Sequence, residues 1–159
     1  MKDYDKIIEK RNKMWDNATR QEKKILVCKD VLSMIEMPNY IVNQGHYLNF
    51  PEATGYQGHV KDFSNEHIQK DLLSGGVTCT ACARGQMMLS RFRFKGVGGM
   101  ENMLCDNFGT ETALQDAFDK EELGFIEAIF EMDPQYAKDM GPWSLSQLLV
   151  NFQFGLSLS

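Results

Sequence analysis

The chain has 159 residues and a formal net charge of −5, with 43% hydrophobic and 25% charged residues. This composition is typical of one globular domain and excludes fibrous and disordered chains. A domain of this size buries roughly 70% of the surface of its unfolded chain, so it needs no metal or disulfide to fold. No apolar run approaches the roughly 18 residues of a membrane-spanning helix. The charged N-terminus lacks the apolar core of a secretory signal, and four cysteines without such a signal favour a cytoplasmic location.

The charge is distributed unevenly along the chain. Residues 1–30 carry nine basic and six acidic side chains, whereas residues 101–140 carry two basic and eleven acidic ones. An acidic half of the chain repels phosphate backbones, which disfavours general nucleic-acid binding. A protein partner is therefore favoured over a nucleic acid.

Two helices are predicted in the first third of the chain. Apolar residues near helical spacing predict an amphipathic helix over residues 4–15. Thr19 and Glu22 form a capping-box pattern, which predicts that a second helix covers residues 20–36. Pro38 makes a continuation beyond Met37 unfavourable.

A small β-hairpin and a third helix are predicted next. Aromatic and β-branched residues at 40–42 and 47–50 flank a glycine-containing turn, which is typical of a hairpin. Residues 51–61 are predicted to be a loop. Ser64 can cap a helix, with Phe63 and Ile68 as a hydrophobic staple, and Gly75 can end that helix.

The remaining pattern predicts further helices. Small residues near the start of residues 78–92 predict the central buried helix, and a short helix is predicted over residues 110–118. A second capping-box pattern begins at Asp119 and opens another helix, and the last apolar segment, residues 145–154, is also predicted to be helical. The predicted fold class is mainly α: a single compact domain over residues 1–159, with about six or seven helices and one small β-hairpin.

Cys79 and Cys82 form the sharpest local motif and allow three interpretations. On a helix starting at Thr78 they are core residues, because free cysteine is among the most buried residue types. One C-x-x-C pair supplies only half of a structural zinc site. Cys105, His59 and His67 are the candidates that could complete it. A redox role would need a thiol at a helix N-terminus, where Cys79 is expected. The core interpretation is favoured, with zinc or redox chemistry as the alternative.

Other candidate sites are weaker. His46, His59 and His67 are the only histidines, and none lies in a recognisable nucleophile motif, so no catalytic residue is predicted. His67 is expected to be a solvent-exposed residue of a helix first turn.

Residues 90–96 interleave Arg91, Arg93 and Lys95 with two phenylalanines, a pattern that could contact single-stranded nucleic acid. The favoured interpretation is a helix end with Phe92 and Phe94 packed inward. The cations are then expected to be solvated or paired with the acidic 101–140 segment.

One segment carries a resemblance to a known family. The run C-T-A-C-A-R-G at residues 79–85 and the apolar helix that continues it to residue 90 resemble the central motif of a family of small uncharacterised bacterial and phage-type proteins. Residues 29–32, 45–48 and 118–131 also fit that pattern, so the similarity covers about residues 20–132. It implies a small, mainly helical, intracellular bacterial or mobile-element protein, and it carries no activity.

The sequence therefore favours a non-enzymatic accessory or interaction protein whose partner is a protein. The alternative function is a metal-binding or thiol-redox protein that uses Cys79 and Cys82. A nucleic-acid contact through Arg91, Arg93 and Lys95 is the third and weakest hypothesis. The pattern predicts neither an oligomeric state nor a specific ligand.

Overall fold

Seven helices and three short strands make up the described part of the protein, residues 3–43, 48–49, 64–104 and 109–131, in a computed structural model. In chain order they are α1 (Asp3–Asn17), α2 (Arg20–Met34), β1 (Tyr40–Val42), β2 (Leu48–Asn49), α3 (Asn65–Ser74), β3 (Cys79–Ala81), α4 (Ala83–Phe94), α5 (Met100–Met103), α6 (Gly109–Leu114) and α7 (Lys120–Glu131).

Helix α4 is the centre of the fold. Eleven of its twelve residues are buried, and it packs against α1, α2, α3, α6 and α7. Burial around the whole helix fits a sequence without a polar side, because a helix with neighbours on all sides needs no solvent-facing stripe. Its Met87, Leu89 and Phe92 are fully buried within one hydrophobic core. The prediction of a mainly helical domain with a central buried helix is confirmed.

The sheet differs from the predicted hairpin. Its strand order is β1-β3-β2, so the two strands predicted around the turn are present but do not pair with each other. Strand β3 lies between them, parallel to β1 with Tyr40 opposite Cys79, and antiparallel to β2 with Leu48 opposite Ala81. The prediction of a hairpin is wrong because residues 79–81, more than 30 residues later, supply the backbone partner of both strands.

The start of the central helix is also corrected. Residues 79–81, predicted to be helical, form β3, and the helix begins at Ala83 with Cys82 as its N-cap residue in an extended conformation. The backbone N–H of Cys79 donates to the Asn39 carbonyl at 2.8 Å, and Asn43 donates to the Ala81 carbonyl at 3.0 Å. These bonds extend the parallel pairing at both ends, which explains why the strand replaces the first helical turn.

Local capping signals predicted the helix ends well. The Thr19 hydroxyl accepts a hydrogen bond from the Glu22 backbone N–H, and the Glu22 carboxylate accepts one from the Thr19 backbone N–H. Asp119 and Glu122 form the same reciprocal pair at 2.7 and 3.2 Å at the start of α7. Gly75 ends α3 with φ of +75°, a left-handed conformation that favours glycine.

Ser64 caps α3, as predicted, by accepting a hydrogen bond from the His67 backbone at 3.2 Å. The predicted helix over residues 110–118 is α6, which ends at Leu114. Three of the predictions concern residues outside the described ranges: the hydrophobic staple of Phe63, the loop over residues 51–61, and the helix over residues 145–154.

Helices α5 and α6 approach each other closely at Gly109. A Cβ atom at this position would lie 2.3 Å from the Met103 carbonyl oxygen, well inside van der Waals contact. Gly98, in the preceding loop, is the opposite case, because a Cβ there meets no described heavy atom within 4 Å. Glycine is therefore required for packing at position 109 and not at position 98.

Among the described helices, none has the length and apolar content needed to cross a membrane.

Candidate functional site

The cysteine pair faces the hydrophobic core. Cys79 lies in the middle strand of the sheet and is fully buried, and Cys82, at the N-cap of α4, is 8% exposed. Cys28 of α2 is also fully buried, and Cys28 and Cys79 are free thiols. The two residues of the motif therefore do not lie one turn apart on a single helix, as expected, yet both belong to the core cluster.

Burial makes these thiols poor nucleophiles. It raises the pKa of Cys79 from 9.0 to about 12, and it raises the pKa of Cys28 to about 12 although the positive charge of Lys24 acts in the opposite direction. A thiol attacks or binds metal as the thiolate, so both side chains are in the unreactive form at neutral pH. The expected position of Cys79 at a helix N-terminus, which would have favoured a thiolate, is wrong because the residue is in β3.

The candidate zinc ligands are only partly placed. Cys105, His46 and His59 lie outside the described residues, so their relation to the pair stays untested. His67 lies in the first turn of α3 with a half-exposed side chain, as expected, and its Nε2 lies 3.2 Å from an Asp71 carboxylate oxygen. Within the described ranges, no three side chains of the His, Cys, Asp and Glu types converge in a way that could hold a metal ion.

The candidate nucleic-acid patch is largely inside the protein. Phe92 and Phe94 are buried, as predicted, but Arg91 and Arg93 are each only 5% exposed, so the expectation of solvated arginines is wrong. Arg91 pairs with Asp116 at 3.3 Å, a pairing with the acidic segment that was expected. Lys95, more exposed, pairs instead with Asp16. Two of the three cations are thus unable to reach a nucleic-acid backbone.

Arg93 belongs to a buried polar network that sequence reasoning missed. Its Nε donates to the Asp30 carboxylate at 3.0 Å, and one of its NH groups donates to the Tyr40 hydroxyl at 3.2 Å. Ser90 donates to Asp30 at 2.9 Å, and Arg11 of α1 donates to the other carboxylate oxygen at 2.9 Å. We call Arg11, Asp30, Tyr40, Ser90 and Arg93 the polar core.

The polar core connects five elements, and all of its side chains are buried except that of Arg11, which is 19% exposed. Arg93 also donates to the Leu72 carbonyl at 3.0 Å, which ties α3 to the residues of α1, α2, α4 and β1. Burial, the largest single effect, lowers the pKa of Arg93, but the charges and hydrogen bonds of Asp30 and Tyr40 together outweigh it and the pKa is raised. Burial raises the pKa of Tyr40 to about 12, although Arg93 opposes it. Arg93 therefore stays charged and Tyr40 stays neutral at ordinary pH, which suits a structural role.

Trp15 is enclosed by cations at the junction of α1 and α4. The Arg91 guanidinium lies 4.4 Å from the centre of the Trp15 rings, and the Lys23 ammonium lies 5.3 Å from it. Phe94 stacks on the indole at 5.7 Å, and the indole N–H donates to Asp116 at 3.3 Å. This arrangement fixes α1 on the core through its inner side.

Some apolar side chains of α1 stay partly exposed to solvent. Tyr4 is 36% exposed, and Ile7 and Met14 are each 41% exposed, whereas Trp15 on the inner side is 2% exposed. A helix turns by about 100° per residue, so these three lie within about 80° of one another around the axis. Arg11 lies within the same sector and Trp15 lies about 20° from Tyr4, so the exposed residues border the side of α1 that packs on the core. We call Tyr4, Ile7 and Met14 the α1 outer stripe.

Three lysines border the α1 outer stripe. Lys6, Lys10 and Lys13 are all exposed, and at about 100° per residue they follow the stripe around the helix on the side away from the core. None of them forms an ion pair within the described parts of the chain. We call these residues the lysine row. Sequence alone marks the helix as amphipathic but does not reveal which of its apolar residues stay outside.

A shallow cleft of about 410 Å³ lies between α6 and the start of α7. Arg20 and Lys120 lie on its walls together with Glu111 and Asp119. Arg20 is held by the Gln115 carbonyl at 2.8 Å. The two positive and two negative side chains balance, so the cleft has no preference for a charged ligand.

No protein-family model matches the chain, and neither the curated proteins nor the solved structures contain a match.

Proposed function

We propose that this chain is a non-enzymatic accessory protein of a bacterium or mobile element, and that it acts in the cytoplasm by binding another protein. The observation that supports the proposal is the α1 outer stripe, in which Tyr4, Ile7 and Met14 are each more than a third exposed along one flank of a helix. Burying such apolar surface against a partner is favourable by roughly 25 cal/mol per Å².

The packing of α1 supports a binding role for this flank. Trp15 and Arg11 fix α1 on the core through their own contacts, which leaves the exposed parts of Tyr4, Ile7 and Met14 available to a partner. Among the other residues whose side-chain exposure the structure describes, Ile41 is the only large apolar one exposed to this degree. Aligned exposed apolar residues on a rigid helix are a feature of interaction surfaces.

The two other hypotheses receive less support. Cys79 and Cys28 are buried and protonated, which suits core packing better than metal or redox chemistry. Arg91 and Arg93 are occupied by Asp116 and Asp30 inside the fold, which leaves Lys95 alone to contact a nucleic acid.

Site-specific photocrosslinking in the cells that naturally make the protein tests the proposal. A benzophenone amino acid at position 7 lies on the stripe, and the same group in place of Glu9, an exposed residue on the far side of α1, is the matched control. We expect a discrete protein adduct from position 7 and none from position 9. Equal labelling from both positions, or no adduct at all, would contradict the proposal, as would a substrate turnover abolished by His67→Ala.

A further inference from the structure

We propose that the cleft between α6 and the start of α7 binds a free amino acid, with Arg20 donating to its carboxylate and Glu111 accepting from its ammonium group. The cleft has a volume of about 410 Å³. Pockets that take small molecules hold roughly 300–1,000 Å³, so a ligand of this size fits together with some of its water. The site goes beyond the proposed function, because the residues that line it lie outside α1.

Two helical segments form the walls of the cleft, and each contributes three residues with the same spacing. These are Glu111, Thr112 and Gln115 from α6 and the turn that follows it, and Asp119, Lys120 and Leu123 from the start of α7. A helix turns by about 100° per residue, so residues spaced by one and by four positions lie on one side of their segment. Both walls therefore present a carboxylate and other polar groups to the same space.

Arg20, the first residue of α2, supplies the positive group of the site. One of its guanidinium N–H groups donates to the Gln115 carbonyl at 2.8 Å, which holds the side chain beside the end of α6. Within the ranges that the structure describes, Arg20 forms no ion pair. The remaining N–H groups of the guanidinium form a planar fork, whose geometry matches the two oxygens of a carboxylate.

Glu111 supplies the negative group. Its carboxylate lies 3.5 Å from Arg84, whereas Glu127 of α7 contacts the same guanidinium at 2.6 Å. The positive charge of Arg84 is therefore compensated mainly by Glu127. The side chain of Glu111 is 40% exposed and keeps carboxylate oxygens that can accept from the ammonium group of a ligand.

The two charged groups lie close enough for one small molecule to contact both. Gln115, which holds Arg20, follows Glu111 by four residues, which is about one helical turn, or about 5.4 Å along the axis. Among the described ion pairs, none joins Arg20 to Glu111 directly. An amino acid carries its carboxylate and its ammonium group on the same carbon atom, so it can bridge the two side chains.

The rest of the lining disfavours a ligand with a net charge and favours one with an apolar part. Asp119 and Lys120 are consecutive and opposite in charge, and the Asp119 carboxylate already accepts the Glu122 backbone N–H at 2.7 Å. Phe118 and Leu123 are each only 1% exposed, so they form the innermost part of the cleft. The ligand that matches is an amino acid with an apolar side chain, and leucine is the probe we choose.

An NMR titration that follows the backbone amide signals of the full chain tests the inference. The probe is L-leucine, added to about 10 mM, which is ten times a Kd of about 1 mM. The comparison ligands are leucinamide, which lacks the carboxylate, and N-acetylleucine, which lacks the ammonium group. We expect saturable shifts at Thr112, Gln115 and Lys120 with leucine. Either comparison ligand should bind about tenfold more weakly, because one charge-assisted contact is lost.

Three substitutions locate the two contacts. Arg20→Gln and Glu111→Gln should each weaken leucine binding about tenfold. In addition, Arg20→Gln should remove the preference for leucine over leucinamide, and Glu111→Gln should remove the preference over N-acetylleucine. Glu127→Gln is the matched control, because it also takes a carboxylate from Arg84 but does not line the cleft, and it should leave leucine binding unchanged. Circular dichroism checks that each variant stays folded.

Several results would overturn the inference. No shifts at about 10 mM leucine, shifts confined to signals away from the cleft, or equal binding of leucine and N-acetylleucine or leucinamide would each do so. Equal binding of N-acetylleucine would indicate recognition of a protein C-terminus, and equal binding of leucinamide would indicate recognition of an N-terminus. An equal loss in Glu127→Gln and Glu111→Gln would show that the effect acts through Arg84 rather than through a ligand contact. Because α1 is not part of this site, crosslinking from position 7 neither supports nor contradicts it.

Discussion

Replacing Asp30 by asparagine tests whether the polar core holds the protein together. The carboxylate of Asp30 receives hydrogen bonds from Arg93, Arg11 and Ser90, so it compensates two guanidinium groups at once. Asparagine has nearly the same shape but no charge, and the perturbation is therefore electrostatic rather than a cavity.

The size of the effect follows from burial. The side chains of Asp30 and Arg93 are 7% and 6% exposed, and that of Arg11 is 19% exposed. Removing one member of a buried ion pair leaves its partner charged and unpaired, which destabilises proteins by about 3–5 kcal/mol. That loss is a large part of a typical total stability of about 5–15 kcal/mol.

Asp16→Asn is the matched control for this prediction. Asp16 also pairs with a cation, Lys95, but its side chain is 52% exposed, and exposed pairs contribute at most about 1 kcal/mol. Urea unfolding followed by circular dichroism measures both variants against the unchanged protein. If Asp30→Asn loses no more stability than Asp16→Asn, the polar core is not the structural connection described here.

Of three further predictions, two concern the thiols and one concerns a glycine. A thiol reagent at pH 8 should label Cys28 and Cys79 only as fast as the protein unfolds. Peptide mass spectrometry measures the rate of labelling at each cysteine. Fast labelling of the native protein would refute the burial of these thiols. The contribution of the two thiols to the free energy of unfolding is complete below pH 9. Between pH 9 and about 12 the free energy of unfolding should fall by roughly 1 kcal/mol per pH unit for each thiol, because the thiols of the unfolded chain ionise first. Cys28→Ala should make this decrease less steep. Gly109→Ala should destabilise the protein by about 1–3 kcal/mol through its clash with the Met103 carbonyl, and Gly98→Ala, the open-space control, should change the melting temperature little.

The parts of the fold that sequence predicted are those encoded locally. The capping boxes at Thr19 and Asp119 and the glycine end at Gly75 involve residues at most four apart, so the pattern contains all of their partners. Strand β3 was missed because a three-residue strand has no usable periodicity. Its partners, β1 and β2, lie more than 30 residues earlier in the chain.

The candidate site shows the same division between local and distant partners. The pattern at residues 90–96 correctly placed Phe92 and Phe94 inside, but it left the arginines in solvent because Asp30, the partner of Arg93, is 63 residues away. The one available signal of a buried ion pair was Asp30, which lies between Cys28 and Val31 on the buried side of α2.

The position of β3 between β1 and β2 restricts the order in which the chain can fold. Neither outer strand has its partner until residues 79–81 are synthesised. Both strand pairs of the sheet therefore join residues that are more than 30 positions apart in the chain. Such non-local pairing forms slowly compared with helices, whose contacts are four residues apart. During synthesis, α1 and α2 can therefore form early, while β1 and β2 stay unpaired until β3 leaves the ribosome and joins them, just ahead of the central helix α4.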